Sequence, residues 1–176
     1  MNGNLEIQRD VTDRIEKGDK FAVIYADLDN FKAYNDVYGF SSGDRIIVLT
    51  ADIISGNVAQ YGNAGDFIGH IGGDDFIIAT TPDKAEEICR GVVSEFDEKV
   101  LDFYNEADRA SGVITTKNRR GETDTFPLMS ISMAIVTNER RSITSYLQVG
   151  DIASDVKKKL KTMPGSNYFT DRRVDA

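Results

Sequence analysis

The chain has 176 residues, 40% hydrophobic and 28% charged, with a formal net charge of −8 and one cysteine. That length fits a single domain with a real core, and the acidic balance argues against a nucleic acid or an anionic membrane as the main partner. Cys89 alone excludes an internal disulfide and a cysteine-rich zinc site. No signal peptide and no run of about 18 apolar residues is present, so the expectation is a soluble cytoplasmic domain without membrane insertion.

Residues 4–17 carry Leu5 or Ile7, Val11 and Ile15 on one side and stop at Gly18, which predicts a helix. The apolar run 21–28 predicts a buried strand. Residues 43–54 place Ile46, Ile47, Leu49, Ile53 and Ile54 at helical spacing, and Gly56-Asn57 and Gly62-Asn63-Ala64-Gly65 read as loop or turn. Residues 67–71 and 76–80 read as hairpin strands about Gly72-Gly73, because both glycines tolerate positive φ. The strongest helical pattern spans 83–101, with Ala85, Ile88, Cys89, Val92, Val93, Phe96 and Val100 in one apolar stripe.

Val113–Thr116 and Thr123–Phe126 read as an exposed polar hairpin with Arg119 and Arg120 facing solvent. Residues 127–136 form another buried strand. Residues 144–161 form the last helix, ended by Pro164-Gly165, with an edge strand at Tyr168-Phe169. This order predicts an α/β (α+β) domain, one mixed sheet containing antiparallel strands and covered by helices.

Two segments carry the chemistry. Asp27-Leu28-Asp29-Asn30-Phe31-Lys32 closes the first strand, and His70-Ile71-Gly72-Gly73-Asp74-Asp75-Phe76 spans the hairpin turn. Carboxylates meeting at neighbouring strand ends repel one another unless a divalent cation neutralises them. Oxygen ligands without cysteine or clustered histidine point to Mg2+ (or Mn2+) held with substrate phosphates, hence to phosphoryl or nucleotidyl transfer. Taken alone, Asp27 and Asp29 serve equally well as a strand's polar end. Asn35 and Asp44 serve as helix or turn caps, and Lys157-Lys158-Lys159 as a solvated face complementing a helix dipole.

Tyr25-Ala26-Asp27-Leu28-Asp29-Asn30-Phe31-Lys32-Ala33-Tyr34-Asn35-Asp36-Val37-Tyr38-Gly39, then Gly43-Asp44 and Gly72-Gly73-Asp74-Asp75-Phe76, closely resembles the GGDEF domain of diguanylate cyclases over almost the whole chain. The resemblance implies a palm-like fold related to nucleotide cyclases, with a central, mainly antiparallel mixed sheet flanked by helices. The reaction it implies condenses two GTP into cyclic di-GMP across a homodimer. Asp27, the Leu28 carbonyl and Asp74 match the metal ligands, and Asp27, Asp74 and Asp75 the catalytic carboxylates. Asn35 and Asp44 match the pair that reads guanine, and the backbone at Asn30-Phe31-Lys32 matches the phosphate turn. Lys158 matches the last helix's phosphate-reaching lysine, with Lys157 and Lys161 as alternatives. The family analogy also makes residues 1–176 one domain cut from a longer signalling protein, with an attached sensor or phosphodiesterase domain.

Several positions depart from the family pattern. Asp75 stands for the usual glutamate, His70 for an arginine and Phe40 for a histidine, while Gly165-Ser166-Asn167 lacks the usual arginine. The inhibitory Arg-x-x-Asp motif is here Asn63-Ala64-Gly65-Asp66; asparagine cannot make the bidentate guanidinium contact, so product inhibition is expected to be lost. These departures keep other readings open. They are a catalytically silent GTP-binding module regulating an attached domain, a docking domain without nucleotide, and a cyclase for a different dinucleotide. His70 and Cys89 are read as structural.

Overall fold

The computed structural model describes residues 3–175. In chain order it contains α1 (Asn4–Lys17), β1 (Ala22–Asp29), α2 (Phe31–Tyr38), α3 (Phe40–Tyr61), β2 (Phe67–Gly72), β3 (Asp75–Thr80) and α4 (Pro82–Lys99). A 3-10 turn (Val100–Phe103), α5 (Glu106–Ser111), the β4–β5 hairpin (Val113–Lys117, Thr123–Pro127), β6 (Ser130–Thr137), α6 (Tyr146–Leu160) and β7 (Asn167–Thr170) follow. The main sheet runs β2-β3-β1-β6-β7, antiparallel throughout except between β6 and β7.

Strand alternation divides the core in two, because successive side chains leave opposite faces of a sheet. Ala22, Ile24, Ala26 and Leu28 of β1 join Phe76, Ile78, Ile131, Met133 and Ile135 beneath α2, α3 and α4. Phe21 and Val23 join Ile77, Ala79 and Val136 beneath α1 and α6. β1 lies at the sheet's centre with both faces covered, which is why its sequence reads as a continuous apolar run.

The mixed sheet flanked by helices agrees with the expected fold class, and the local differences have physical causes. Gly56-Asn57 is not a loop; it lies inside α3. Asn57 donates to Ile53 O at 2.9 Å and to Glu95 Oε2 of α4 at 2.7 Å. A Cβ at Gly91 would sit 2.1 Å from Asn57 Oδ1, so α4 packs close enough to hold α3 helical there. α2 and α5 are additional to the expected elements. Both are short helices without a long apolar stripe; α2 is held by ring contacts of Tyr34 and Tyr38 with Tyr104, and α5 by the hydrogen bond from Tyr38 Oη to Asp108.

Of the two residues left open in α1, Ile7 is buried and Leu5 is exposed. β6 begins at Ser130 rather than 127 because Pro127 still pairs with Val113 in the β4–β5 hairpin. In the β2–β3 hairpin the turn proper is Gly73-Asp74, and Gly72 pairs with Asp75 after a register shift. Gly72 has φ 137° and Gly73 φ 57°, conformations that side chains rarely adopt.

Candidate functional site

Strand parity assembles the site. Past Val23 and Tyr25, the same face of β1 ends in Asp27 and Asp29. Across the register, β6 sets Ser132 opposite Asp27 and Ser130 opposite Asp29. β3 starts with Asp75 on the parity of Ile77 and Ala79. α6 covers this side with Lys157, and its C-cap Lys161, four residues on with helical backbone angles, falls on the same face.

Lys161 Nζ lies 3.0 Å from Asp27 Oδ2 and 2.5 Å from Asp29 Oδ1. Lys157 Nζ lies 3.9 Å from Asp27 Oδ1 and 3.4 Å from Asp75 Oδ1. The other oxygen of Asp29 accepts from Ser130 Oγ at 2.8 Å and Ser132 Oγ at 2.7 Å. Desolvation lowers the Lys161 pKa, but the carboxylates of Asp29 and Asp27 outweigh it and the net shift is upward. Lys161 is therefore charged at neutral pH.

Asp74 sits in the hairpin turn, half-buried. Burial raises its carboxyl above the ordinary value. Its own backbone N–H opposes the rise, Asp75 and Asp27 add to it, and Lys161 pulls the other way. The Asp74 carboxyl thus lies within electrostatic reach of Asp75 and Asp27 at the sheet end.

Among the described residues, no three His, Cys, Asp or Glu side chains come together closely enough to hold a metal ion. Magnesium asks for less, since it is commonly held by one or two carboxylates, substrate phosphates and its own waters. Asp27 Oδ1 is buried and accepts no hydrogen bond. An oxygen in that state suits an incoming cation, and the Asp74 carboxylate lies within electrostatic reach of Asp27 to share it.

At the end of β1, Asn30 has φ 63°, the one positive value among the described non-glycine residues. This bend starts α2 at Phe31, and Tyr34 N is already bonded to Asn30 O. The amides of Phe31, Lys32 and Ala33 precede the first intrahelical donor, and such N–H groups favour anions. Beside them opens a cleft of about 340 Å³, lined in part by Leu28, Asp29, Asn30, Ser130 and Lys161.

Asn35 on α2 and Asp44 near the start of α3 flank Gly39, whose φ of 85° breaks the two helices apart. Asn35 Oδ1 is buried without a hydrogen-bond partner. Asp44 is exposed and lines a cleft of about 510 Å³ with Ser41, Arg45, Val48, Leu49 and Phe103. Tyr34 Oη donates to Phe103 O at 2.9 Å and Tyr38 Oη donates to Asp108, which fixes α2.

Residues 4–126 match the family model described as diguanylate cyclase, GGDEF domain. This chain belongs to the GGDEF domain family. Diguanylate cyclase DgcP of Escherichia coli K12 is 27% identical over 143 residues, covering 81% of this chain and 36% of DgcP. The bifunctional diguanylate cyclase/cyclic di-GMP phosphodiesterase MucR of Pseudomonas aeruginosa is 33% identical over 95 residues, 52% of this chain and 13% of MucR. The chain therefore matches well under two thirds of either relative's length. The GGDEF domain of TpbB (YfiN) from Pseudomonas aeruginosa superposes with a TM-score of 0.68 at 18% identity, covering 98% of both chains. The active GGEEF domain of a diguanylate cyclase from Vibrio cholerae gives 0.67 at 16% identity, covering 95% and 94%. The fold is that of GGDEF domains, as the signature implied.

Within this GGDEF domain some expected residues point elsewhere. Lys158 is exposed and pairs with Asp155 at 3.4 Å, away from the site carboxylates; Lys157 of α6 and its C-cap Lys161 are the lysines that reach them. The reason is helical phase. Val149, Ile152, Ala153, Val156 and Leu160 are buried, which turns Lys157 and Lys161 toward the sheet end and Lys158 outward. Lys159 lies over the Phe169 ring instead.

Asn63 and Asp66 brace their own loop. Asp66 Oδ2 accepts from Asn63 N at 2.8 Å and Thr80 Oγ1 at 2.7 Å, and Asn63 Nδ2 donates to Thr81 Oγ1 at 2.9 Å. His70 stacks on Phe76 and contacts Gly73 O at 2.8 Å, steadying the turn that carries Asp74. Cys89 is fully buried in the core. The resemblance assigns no role to Asp29, Ser130 or Ser132. Asp29 stands in the strand-end carboxylate segment, and for Ser130 and Ser132 the signal is the alternation of β6, which puts both on the face of Asp29.

Proposed function

We propose that this GGDEF domain binds GTP with Mg2+ and condenses two GTP into cyclic di-GMP when two copies face each other. The observation that carries this reading is the buried Oδ1 of Asp27, which accepts no hydrogen bond, within electrostatic reach of Asp74. In this reading each 3′-hydroxyl attacks the α-phosphorus of the other nucleotide, and diphosphate leaves. Asp27, Asp74 and the Leu28 carbonyl would hold the ion, which when bound would polarise the α-phosphate and favour an ionised hydroxyl.

The chain's own groups bind and orient. Amides at the start of α2 and the ammonium groups of α6 offset phosphate charge. Asn35 Oδ1 can accept from guanine N–H donors, as can the Asp44 carboxylate. Placing two nucleotides head to tail supplies much of the rate by proximity. Asp75 would take the proton or shape the site, with one methylene less than glutamate. A cytoplasmic location follows from this reading; among the described residues, no helix is long and apolar enough to cross a membrane.

A second reading is a silent GTP-binding module that regulates an attached domain such as a phosphodiesterase. The observation favouring it is Asp75 in place of glutamate, paired with Lys157. Turnover with Mg2+ or Mn2+, on the domain fused to a dimerising coiled coil, separates the two. Cyclic di-GMP formation supports the cyclase. Tight metal-dependent GTP binding without product supports the regulator, and no binding sinks both.

A further inference from the structure

The two aspartates of Asp27-Leu28-Asp29 are not equivalent. Asp29 is fully engaged, one oxygen taking the hydroxyls of Ser130 and Ser132 and the other the ammonium of Lys161 at 2.5 Å. Asp27 has one oxygen without a hydrogen bond, and its other oxygen meets the same ammonium at 3.0 Å. Their side chains are only 15% and 17% exposed. An ion pair in free solvent is worth little, but carboxylates this far desolvated are costly without a counter-charge. Lys157 is the looser partner, 3.9 Å from Asp27 and 3.4 Å from the half-exposed Asp75.

We propose that Lys161 is a built-in counter-cation of Asp27 which a divalent ion must displace, and that Asp29, locked by Ser130 and Ser132, is the anchor that keeps Lys161 at the site. The inference rests on the reading of Asp27 as a metal ligand. When an ion takes Asp27, the ammonium keeps its hold on Asp29 and stays beside the cleft lined by Asn30 and Leu28. Asp29 acts through Lys161, as a positioning residue. Its pairing with β6 fixes where that charge stays.

The test is Mn2+ binding to the 176-residue chain without nucleotide, read by the EPR signal of free Mn2+. Lys161→Met should bind about tenfold tighter than wild type, because an opposing charge is gone from Asp27. Lys161→Arg should stay close to wild type. Asp29→Asn should bind more weakly, with Lys161 collapsed onto Asp27, and the double variant Asp29→Asn/Lys161→Met should return to the affinity of Lys161→Met alone.

Equal or weaker Mn2+ binding in Lys161→Met, including no binding in any variant, overturns the counter-cation. Additive effects in the double variant overturn the anchor, since Asp29 would then act by its own charge. Thermal unfolding checks each variant, and Lys161→Gln carries the same expectation should Lys161→Met not fold. GTP-dependent Mn2+ binding in Asp27→Asn separates the two layers. Its loss keeps Asp27 as a ligand whatever Lys161 does; its survival removes the metal reading and this inference with it.

Discussion

The side-chain amide of Asn35 rests against Gly43 so closely that a Cβ on Gly43 would lie 1.8 Å from Asn35 Oδ1 and 2.8 Å from its Cγ. α2 and α3 thus meet through a glycine that leaves room for one specific amide. Gly43 lies in α3 without a positive φ, so alanine there gains about 1 kcal/mol of helix propensity while it pushes Asn35 aside. Gly43→Ala should unfold at the same temperature or higher and yet bind GTP more weakly by calorimetry. Unchanged GTP affinity would detach Asn35 from guanine.

Asp74 makes the metal-free site sensitive to pH. A carboxyl whose folded pKa is raised stabilises the fold fully below its ordinary value of 3.8 and loses that contribution as pH rises through the folded value. At pH 7 the charged form is a burden. Asp74→Asn should therefore raise the metal-free Tm at neutral pH, with the gain closing toward pH 3.8. The same substitution should abolish turnover and weaken Mg2+-dependent GTP binding. Retained turnover would refute the assignment.

Asp66 illustrates the opposite use of a carboxylate. It holds Asn63 N and Thr80 Oγ1, and Gly62 approaches so closely that a Cβ there would lie 2.3 Å from Asp66 Oδ2. Asp66→Ala should cost about 1–3 kcal/mol in denaturant unfolding, the penalty of stranding hydrogen-bond partners, without altering GTP affinity. Asn63 spends its amide on Asp66 and Thr81. Titration with cyclic di-GMP should accordingly leave the initial rate unchanged.

Cys89 gives a test of the core. Burial pushes its thiol pKa upward, so the native thiol should resist disulfide reagents until denaturant is added. Cys89→Ser, which places a hydroxyl in an apolar cluster, should destabilise the chain by about 1–3 kcal/mol. Rapid labelling in native buffer would contradict the packing.

Much was legible before the fold was known. The apolar period of α4, the glycine stop after α1 and the hairpin at Gly72-Gly73 report local geometry, and local geometry is set by neighbouring residues. The spacing of Asp27, Asn35, Asp44 and Asp74 likewise carried the family. Helix α2 and the helical state of Gly56-Asn57 were not legible, since each is stabilised by distant partners, Tyr104 for α2 and Glu95 for Asn57.

The division is sharpest on the last helix. The sequence by itself determined that a run of lysines ends α6 and that carboxylates end β1 and begin β3. Only the tertiary structure decided which lysine meets which carboxylate. Lys157 and Lys158 differ by about 100° around the helix axis, and that phase is set by how Val149, Ile152, Val156 and Leu160 seat on the sheet. Hydrogen bonds from Ser130 and Ser132 to Asp29 cross more than a hundred positions of chain. No local pattern specifies such a pairing, because the charges and hydroxyls become neighbours only after β1, β6 and α6 have packed.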